Sequence, residues 1–476
     1  MLLESSIPET TLDTEHLLIY IERIKASIEN DPSLAIGSTK ELIEATLKTI
    51  LNGCSFEFDD KRDDIPKLLK KVQKVLELTP GDVDASKKGA DTIRKVLNSL
   101  GAVAIGIAEL RNLYGSGHGK GQKIQGITSR HAKFVVSSGT ALCTFLLETY
   151  ELRDSLKLEH LKRKFSQHTR TLTFDPPSCV RCIAIHPNNQ FLASGDESHK
   201  IRIWELSTGR ILHEYTRYYY KVKEGDVTDL TFSSDGKFII TTGFVSASRS
   251  LQDGAQRKIQ VLNWETGEVV DHISNSSQSD SFCAVRLCPN SHIIAFDSAS
   301  QIELYNIASK QRISTLDSQS SKVKSISFSP NGEILVGGCD DGQIRVWYWK
   351  ENDASEKLLQ VSSSVSDIAF NSDNRLIAIG GEDSKITLFD LIDKKAVLEL
   401  DNHTSAINSL RFSPDGQILA SASKDDTVKL WHVKSGRLLI SHRCNSCWTD
   451  VPSVSFSSDG LTLAAGLSGG EIKIWH

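Results

Sequence analysis

The spacing of hydrophobic residues changes character once along the chain. Up to about residue 165, apolar residues recur every three or four positions, which is typical of amphipathic helices. From Thr169 onward they alternate with polar residues, which is typical of β-strands. The pattern therefore predicts a multidomain protein, with an all-α helical bundle over residues 1–165 and an all-β domain over residues 166–476.

The first part predicts five to seven helices. Ser38 and Glu41 have the spacing of a capping box, which predicts that one helix begins there and continues to Gly53. The helical pattern covers residues 38–53, 65–78, 85–114, 128–152 and 155–165.

The second part contains a unit of roughly 44 residues that recurs seven times. Each unit opens on a strand such as KVKSISFSPNG (322–332) or AINSLRFSPDG (406–416) and later reaches a strand that ends in an aromatic residue. These aromatic residues are Trp204, Trp264, Tyr305, Trp347, Phe389, Trp431 and Trp475. The repeats resemble those of WD-repeat (WD40) proteins, and the resemblance implies a seven-bladed β-propeller.

Unit six also resembles a complete WD blade in its polar residues. The family's hydrogen-bond set of His, Ser, Asp and Trp corresponds here to His403, Ser421, Asp425 and Trp431. The resemblance implies a structural role for these side chains, although Ser, His and Asp also occur together in catalytic sites.

The last unit supplies only three strands before the final residue, His476. A strand-like segment, Arg170–Phe174 (RTLTF), precedes the first unit and is otherwise unassigned. An open ring would leave unpaired strand edges. We therefore expect residues 170–174 to form the outer strand of the last blade and close the propeller.

The composition narrows the possible functions. The chain has 55 Lys and Arg residues against 60 Asp and Glu, a formal charge of -5, so any site for a polyanion must be a local patch. No run approaches the roughly 20 apolar residues that a membrane-spanning helix needs. The N-terminus lacks a basic region, which argues against a secretory signal. The nine cysteines are an odd number spread over 476 residues, which argues against a disulfide-bonded scaffold. We expect a cytoplasmic protein with no membrane partner.

Two cysteine pairs have the spacing of zinc ligands, Cys179 with Cys182 and Cys444 with Cys447. Blades one and seven adjoin in a closed ring, so the pairs could share a zinc ion. We favour the alternative that these four cysteines are ordinary thiols, and we expect no metal and no cofactor.

The helical part contains a basic segment. No Asp or Glu occurs between Leu110 and Leu147, while three glycines alternate around His118 and allow the backbone to turn sharply after the helix that carries Arg111. Such a segment predicts a local field that attracts phosphate. Its cationic and imidazole residues are Arg111, His118, Lys120, Lys123, Arg130, His131 and Lys133.

This part resembles the abortive-infection C-terminal (Abi-C) family, a branch of the HEPN superfamily of helical ribonucleases and toxins. The similar segments include ELRNLYGSGHGK (109–120) and RHAKFVVSSGTALCTFLLETY (130–150). HEPN ribonucleases carry Arg, a polar residue, a spacer and His, which correspond here to Arg111, Asn112 and His118. Five other Arg–His pairs share the bare spacing, and Arg153 with His160 is the second candidate.

The resemblance implies a metal-independent RNA endonuclease. His118 would be the general acid or base, Arg111 would stabilise the phosphate in the transition state, and Asn112 would orient one of them. The residues expected to bind RNA are Lys120, Lys123, Arg130 and Lys133. HEPN sites are typically completed across a two-fold dimer, so we expect a homodimer formed through the helical domain.

A partner surface is predicted on the propeller beside unit two. The linker 215–224 (YTRYYYKVKE) and the insertion 244–258 both mix basic with polar or aromatic residues, as protein hot spots and single-stranded nucleic-acid sites do. The alternative is an outer strand followed by a solvated loop. The candidate residues are Arg217, Tyr218, Tyr219, Tyr220, Arg249 and Arg257.

Two functions remain open at this point. The first is an RNA-cleaving effector or toxin, as in antiphage abortive infection, whose propeller senses, regulates or docks a protein partner. The second is a non-catalytic scaffold in which the helices dimerise and the propeller recruits proteins.

Overall fold

The structure is a computed structural model that divides the chain into two compact units, Met1–Glu159 and His160–His476. It describes residues 15–54, 56–79, 81, 90–114, 128–216, 218–219, 222–223, 226–243, 258–274, 284–289, 291–298, 301–318, 321–350, 356–444 and 450–476.

Five helices occur among the described residues. They are α1 (Glu15–Ser27), α2 (Pro32–Gly53), α3 (Ile65–Val75), α4 (Ala90–Tyr114) and α5 (Ser129–Phe165). Helix α1 lies outside the five segments predicted from the sequence. Helix α5 runs through the predicted break between residues 152 and 155, because neither Gly nor Pro occurs there to end it.

The predicted start of α2 was wrong. The Asp31 side chain accepts a hydrogen bond from the Leu34 main-chain N–H at 3.0 Å, and Pro32 occupies the first helical turn. Both features favour a helix N-terminus, so α2 begins six residues before the capping box. Ser38 is instead buried inside the helix.

One core joins the helices of the first unit, and Gly139 shows how closely they pack. A Cβ atom at this position of α5 would lie 2.3 Å from Cγ2 of Thr39 in α2 and 3.5 Å from Cδ1 of Ile107 in α4. Glycine is therefore required for the observed approach of α5 to the other two helices.

The second unit consists of seven four-stranded antiparallel sheets, plus a two-stranded hairpin of β6 (Tyr218–Tyr219) and β7 (Val222–Lys223). In blades one to three the strands are β2 (Val180–Ile185), β3 (Phe191–Asp196), β4 (Lys200–Glu205), β5 (Ile211–Thr216); β8 (Val227–Phe232), β9 (Phe238–Gly243), β10 (Lys258–Asn263), β11 (Val269–Ser274); and β12 (Val285–Leu287), β13 (Ile293–Ser298), β14 (Gln301–Asn306), β15 (Gln311–Asp317).

Blades four to six repeat this order. Their strands are β16 (Val323–Phe328), β17 (Leu335–Cys339), β18 (Gln343–Trp347), β19 (Glu356–Gln360); β20 (Val365–Phe370), β21 (Leu376–Gly381), β22 (Ile386–Asp390), β23 (Lys395–Leu400); and β24 (Ile407–Phe412), β25 (Ile418–Ser423), β26 (Thr427–His432), β27 (Leu438–Arg443).

Blade seven closes the ring as the sequence predicts. It combines β28 (Ser453–Phe456), β29 (Leu463–Gly466) and β30 (Glu471–Trp475) with β1 (His168–Thr173), which lies antiparallel to β30. The closing strand begins two residues before the predicted segment and ends one residue earlier. The first strand of blade seven also contacts that of blade one.

The polar set of blade six has the predicted structural geometry. His403 lies 2.8 Å from Asp425 through Nδ1 and 2.6 Å from Ser421 through Nε2, and Trp431 donates to the same serine at 2.8 Å. All four side chains belong to one blade and are hydrogen-bonded to one another.

Blades four and five contain a shortened version of this set. The Ser321 hydroxyl donates to Asp341 at 2.7 Å, and the Ser362 hydroxyl donates to Asp383 at 2.6 Å. In both blades a serine hydroxyl from a nearby position, instead of an imidazole, binds the aspartate of this turn, which the sequence pattern did not reveal.

Candidate functional site

Arg111 lies in the last turn of α4, and its side chain is half-buried. Ile107, one helical turn earlier, is 4% exposed and packs in the core beside Gly139 of α5. Core packing therefore fixes the end of α4 that carries Arg111. The Arg111 guanidinium has no hydrogen bond or ion pair with another described residue.

The other predicted catalytic residues are outside what the structure describes in detail. Asn112 belongs to α4, but its side chain lies outside the described part. His118, Lys120 and Lys123 fall in residues 115–127, also outside it. The pairing of Arg111 with His118 therefore stays a prediction.

Two predicted RNA-binding residues lie in the first turns of α5. The side chains of Arg130 and Lys133 are both exposed. However, Lys133 Nζ lies 2.5 Å from Oε1 of Glu29, which follows α1. The segment between Leu110 and Leu147, which contains no Asp or Glu, thus has the carboxylate of Glu29 beside it in the fold. An exposed ion pair of this kind contributes little to the free energy of folding.

His131 is another histidine of the basic segment, and it was not among the predicted catalytic residues. Its side chain is exposed. Its Nδ1 accepts a hydrogen bond from the Thr128 main-chain N–H at 3.3 Å and lies 2.9 Å from the Thr128 hydroxyl. A ring nitrogen that accepts from an N–H carries no proton, so Nε2 holds the proton of the neutral ring. Its position in the first turn of α5 was the signal that could have identified it.

The second Arg–His candidate is engaged elsewhere. Nη2 of Arg153 donates to Glu77 at 2.8 Å, and its Nη1 is buried. The His160 side chain lies outside the described part of the chain. Arg153 is thus paired with an exposed carboxylate that follows α3.

The predicted partner surface of the propeller is described only in its backbone. Tyr218 and Tyr219 form β6, which pairs with β7 between blades one and two. Their side chains lie outside the described part, as do Arg217, Tyr220, Arg249 and Arg257. The insertion of unit two does fall between the second and third strands of its blade, since β9 ends at Gly243 and β10 begins at Lys258.

The two cysteine pairs are described only in part. Burial raises the pKa of both Cys179 and Cys444 to about 12. The buried Cys182 directs its sulfur to the Val227 carbonyl at 3.5 Å, and Cys447 lies outside the described residues. In the part of the chain that the structure describes, no group of three His, Cys, Asp or Glu side chains forms a metal site.

Family comparisons agree with this architecture. Residues 15–150 match the HEPN-like domain family Abi_C. Three segments, residues 164–205, 215–252 and 436–476, match the WD domain, G-beta repeat. Residues 244–446 match the propeller of the Nucleolar protein 10-like, N-terminal domain family. The chain thus carries a HEPN-like domain followed by a seven-bladed WD-repeat propeller.

Individual relatives share only part of their length with this chain. The WD repeat-containing protein srw1 of Schizosaccharomyces pombe is 26% identical over 171 residues, 36% of this chain and 28% of that protein. Human apoptotic protease-activating factor 1 is 43% identical over 68 residues, 14% of this chain and 5% of that protein. WD repeat-containing protein 1-A of Xenopus laevis is 27% identical over 168 residues, 35% of this chain and 26% of its own length.

A helix that spans a lipid bilayer needs a long, mostly apolar stretch. Among the described residues, none of them combines the length and the apolar composition needed for a membrane span.

Proposed function

We propose that this protein is a metal-independent RNA endonuclease of the HEPN type, whose propeller serves as a sensor, a regulator or a docking module for a protein partner. The observation that carries the proposal is Arg111: a half-buried guanidinium in the last turn of α4, without a partner among the described residues, within a segment that matches the HEPN-like family. A permanent cation held by core packing suits a site that stabilises phosphate.

The proposed reaction needs no group beyond the chain's own residues. The ribose 2′-hydroxyl attacks the adjacent phosphorus, the bond from phosphorus to the 5′-oxygen breaks, and the products are a 2′,3′-cyclic phosphate and a 5′-hydroxyl. His118 takes the 2′-proton or gives one to the leaving oxygen, because an imidazole with a pKa of about 6.5 exchanges protons at neutral pH. Arg111 neutralises the charge that develops on the phosphorane, and Asn112 orients the reacting groups.

The flanking RNA would lie along the start of α5. The exposed side chain of Arg130 supports this placement, with Lys120, Lys123 and Lys133 as further phosphate contacts. To bind phosphate, Lys133 has to exchange its ion pair with Glu29, which costs little for two exposed groups.

A homodimer is proposed on the basis of an exposed apolar stripe on α5. Phe134, Phe145, Leu152 and Leu156 are 74%, 38%, 64% and 63% exposed. Their spacings of 11, 7 and 4 residues place them on one side of the helix, opposite the buried face. A helix that is apolar on both sides is typical of one that contacts a second partner as well as its own core.

A second copy of this chain is the partner that the resemblance to HEPN proteins implies, since HEPN sites are typically completed across a two-fold axis.

The cytoplasm is proposed as the place of action, and abortive infection as its setting. The described cysteines are all free thiols, which is usual in a reducing compartment. The Abi_C match supports a role in antiphage defence.

A non-catalytic scaffold is the second candidate. It is favoured by the WD-repeat proteins among the relatives, such as srw1, because propellers commonly bind proteins without catalysing a reaction. In that case the helical domain only dimerises and the propeller recruits partners.

Expression of matched variants in cells separates the two functions. We compare wild type with Arg111→Ala, His118→Ala and the control Arg62→Ala, which removes an exposed guanidinium of the same domain. The nuclease predicts growth arrest with RNA cleavage for wild type and Arg62→Ala and neither effect for the other two. Identical behaviour of all four proteins would favour the scaffold.

A further inference from the structure

The first strands of the seven blades surround a pocket of about 420 Å³, including its open mouth. The pocket lies where these strands begin. Five of them have a β-bulge at this position, and a bulge redirects the side chain of the extra residue. The bulged residues all line the pocket: Arg181, Thr228, Lys324, Ser366 and Asn408.

A chain of ion pairs connects four blades across this pocket. Arg286 of blade three donates to Asp229 of blade two, and its Nη2 lies 3.7 Å from Asp367 of blade five. Asp367 in turn accepts from Nη1 of Arg411, in blade six, at 2.8 Å. Burial alone would raise the pKa of Asp367, but Arg411 and Arg286 hold it below its ordinary value, so this carboxylate stays charged.

Both carboxylates of these ion pairs are hydrogen-bonded within the propeller through each of their oxygens. Asp229 accepts main-chain N–H groups of Leu230 and Val285 at 3.0 and 3.1 Å, one on each oxygen. Asp367 accepts the Ser325 hydroxyl at 2.8 Å on Oδ1 and the Leu410 N–H at 2.9 Å on Oδ2. Each carboxylate oxygen is therefore hydrogen-bonded within the protein.

Two cations of the pocket, Arg411 and Lys324, in contrast keep unused donors. Arg411 donates to described residues through Nη1 only, of the five N–H groups of a guanidinium. Lys324 is half-buried and forms no ion pair or hydrogen bond with a described residue. Four cations and two carboxylates line the pocket: Arg181, Arg286, Lys324 and Arg411 with Asp229 and Asp367. Arg181 also pairs with Glu197, and Arg286 pairs with both carboxylates, so the unused donors belong to Lys324 and Arg411.

We propose that this pocket binds one anionic group, a carboxylate or a phosphoryl group, carried on a side chain of an extended segment of a protein partner. A carboxylate or phosphoryl group accepts hydrogen bonds, so it fits a pocket in which cationic donors are unused and the carboxylates are already hydrogen-bonded. A nucleotide fits less well, because the described lining contains no aromatic ring on which a base could stack. The inference rests on the docking role proposed for the propeller and is independent of nuclease activity in the helical domain.

The test uses the full-length protein and fluorescence polarisation with three labelled pools of short degenerate peptides. Their fixed central residue is glutamate, phosphoserine or serine. We expect at least one anionic pool to bind while the serine pool does not, and the preferred pool identifies which group the pocket takes. Lys324→Gln should weaken this binding about tenfold. Lys237→Gln, which changes an exposed lysine outside the pocket, should leave the affinity unchanged.

Several outcomes overturn the proposal. Equal binding of the three pools, binding of none of them, or full affinity in Lys324→Gln would each exclude an anion site in the pocket. An oligouridine probe that alone binds in a Lys324-dependent manner would assign the pocket to nucleic acid. Because Lys324 has no described partner, its substitution leaves the ion-pair chain in place, and an unchanged melting temperature verifies that the propeller is folded. RNA cleavage is assayed separately, so failure here leaves the nuclease proposal standing.

Discussion

The hydroxyl of Thr169 donates a hydrogen bond to the main-chain carbonyl of Ile474, 2.9 Å away, although 305 positions separate the two residues. The bond lies between β1 and β30, where the strand that opens the second unit completes its last blade. The stability of the ring therefore depends on contacts between its first and last strands.

Leu172→Ala in the closing strand should destabilise the propeller. Leu172 is 2% exposed and packs between blades seven and one, so its truncation should lower the free energy of unfolding by about 2–4 kcal/mol. Thr171→Ala, at the exposed neighbouring position, should change it by less than about 0.5 kcal/mol. Denaturant titration of both variants measures the difference, and equal effects would argue against closure by β1.

Gly139→Ala should destabilise the helical unit. The added methyl group would meet Cγ2 of Thr39 at 2.3 Å, and overpacking of this kind costs about 1–3 kcal/mol. Thr39→Ser removes that methyl group but keeps the hydroxyl bonded to the Ala35 carbonyl. In a double-mutant cycle we expect Thr39→Ser to restore most of the lost stability, whereas strictly additive effects would show that the two helices do not touch here.

The blade-six set should make stability depend on pH. Burial lowers the pKa of His403, and although burial would raise that of Asp425, hydrogen bonds from His403 and Thr427 bring it well below its ordinary value. In the unfolded chain these groups take up protons below about pH 6.5 and pH 4, while the folded set resists protonation. The free energy of unfolding should therefore fall as the pH drops from 7.

The variant His403→Gln isolates the imidazole's share of this effect. We expect it to cost about 1–3 kcal/mol at pH 7, because Asp425 and Ser421 lose a buried partner. The difference from wild type should shrink between pH 7 and pH 5. Asp341→Asn in blade four, where the partner is Ser321, should show no such change over that range. A difference that stays constant with pH would contradict this account.

The apolar stripe of α5 should hold two copies together. Phe145→Glu and Leu152→Glu place charges within it, and we expect each to convert a dimer into a monomer in light scattering coupled to size-exclusion chromatography. Leu461→Glu, at a position of the propeller that is 57% exposed, should leave the mass unchanged. A wild-type monomer, or dimers in all three variants, would place the interface elsewhere or remove it.

The sequence predicts most of the fold because the repeats are local. Each blade pairs neighbouring strands, and the missing fourth strand of the last unit together with residues 170–174 predicts the closure that β1 provides. The helix boundaries were less predictable: two start signals competed in α2, and Asp31 with Pro32 prevailed over Ser38.

The sites were harder to predict because their residues come from distant positions. The pair of Lys133 with Glu29 joins residues 104 positions apart, and the contact of Arg286 with Asp367 joins blades three and five. No periodic or local pattern in the sequence predicts either contact. Arg111, in contrast, could be selected from the sequence because helix end, glycine turn and absence of acids all coincide within one segment.

RNA cleavage by the purified protein tests the central claim most directly. Full-length wild type and the His118→Ala and Arg111→Ala variants are incubated with total RNA with and without EDTA, and the chemistry of the new ends is mapped. We predict 2′,3′-cyclic phosphate and 5′-hydroxyl ends from wild type, with cleavage by either variant reduced at least about a hundredfold. Intact RNA with wild type, cleavage that EDTA abolishes, or undiminished cleavage by His118→Ala would contradict the proposed nuclease.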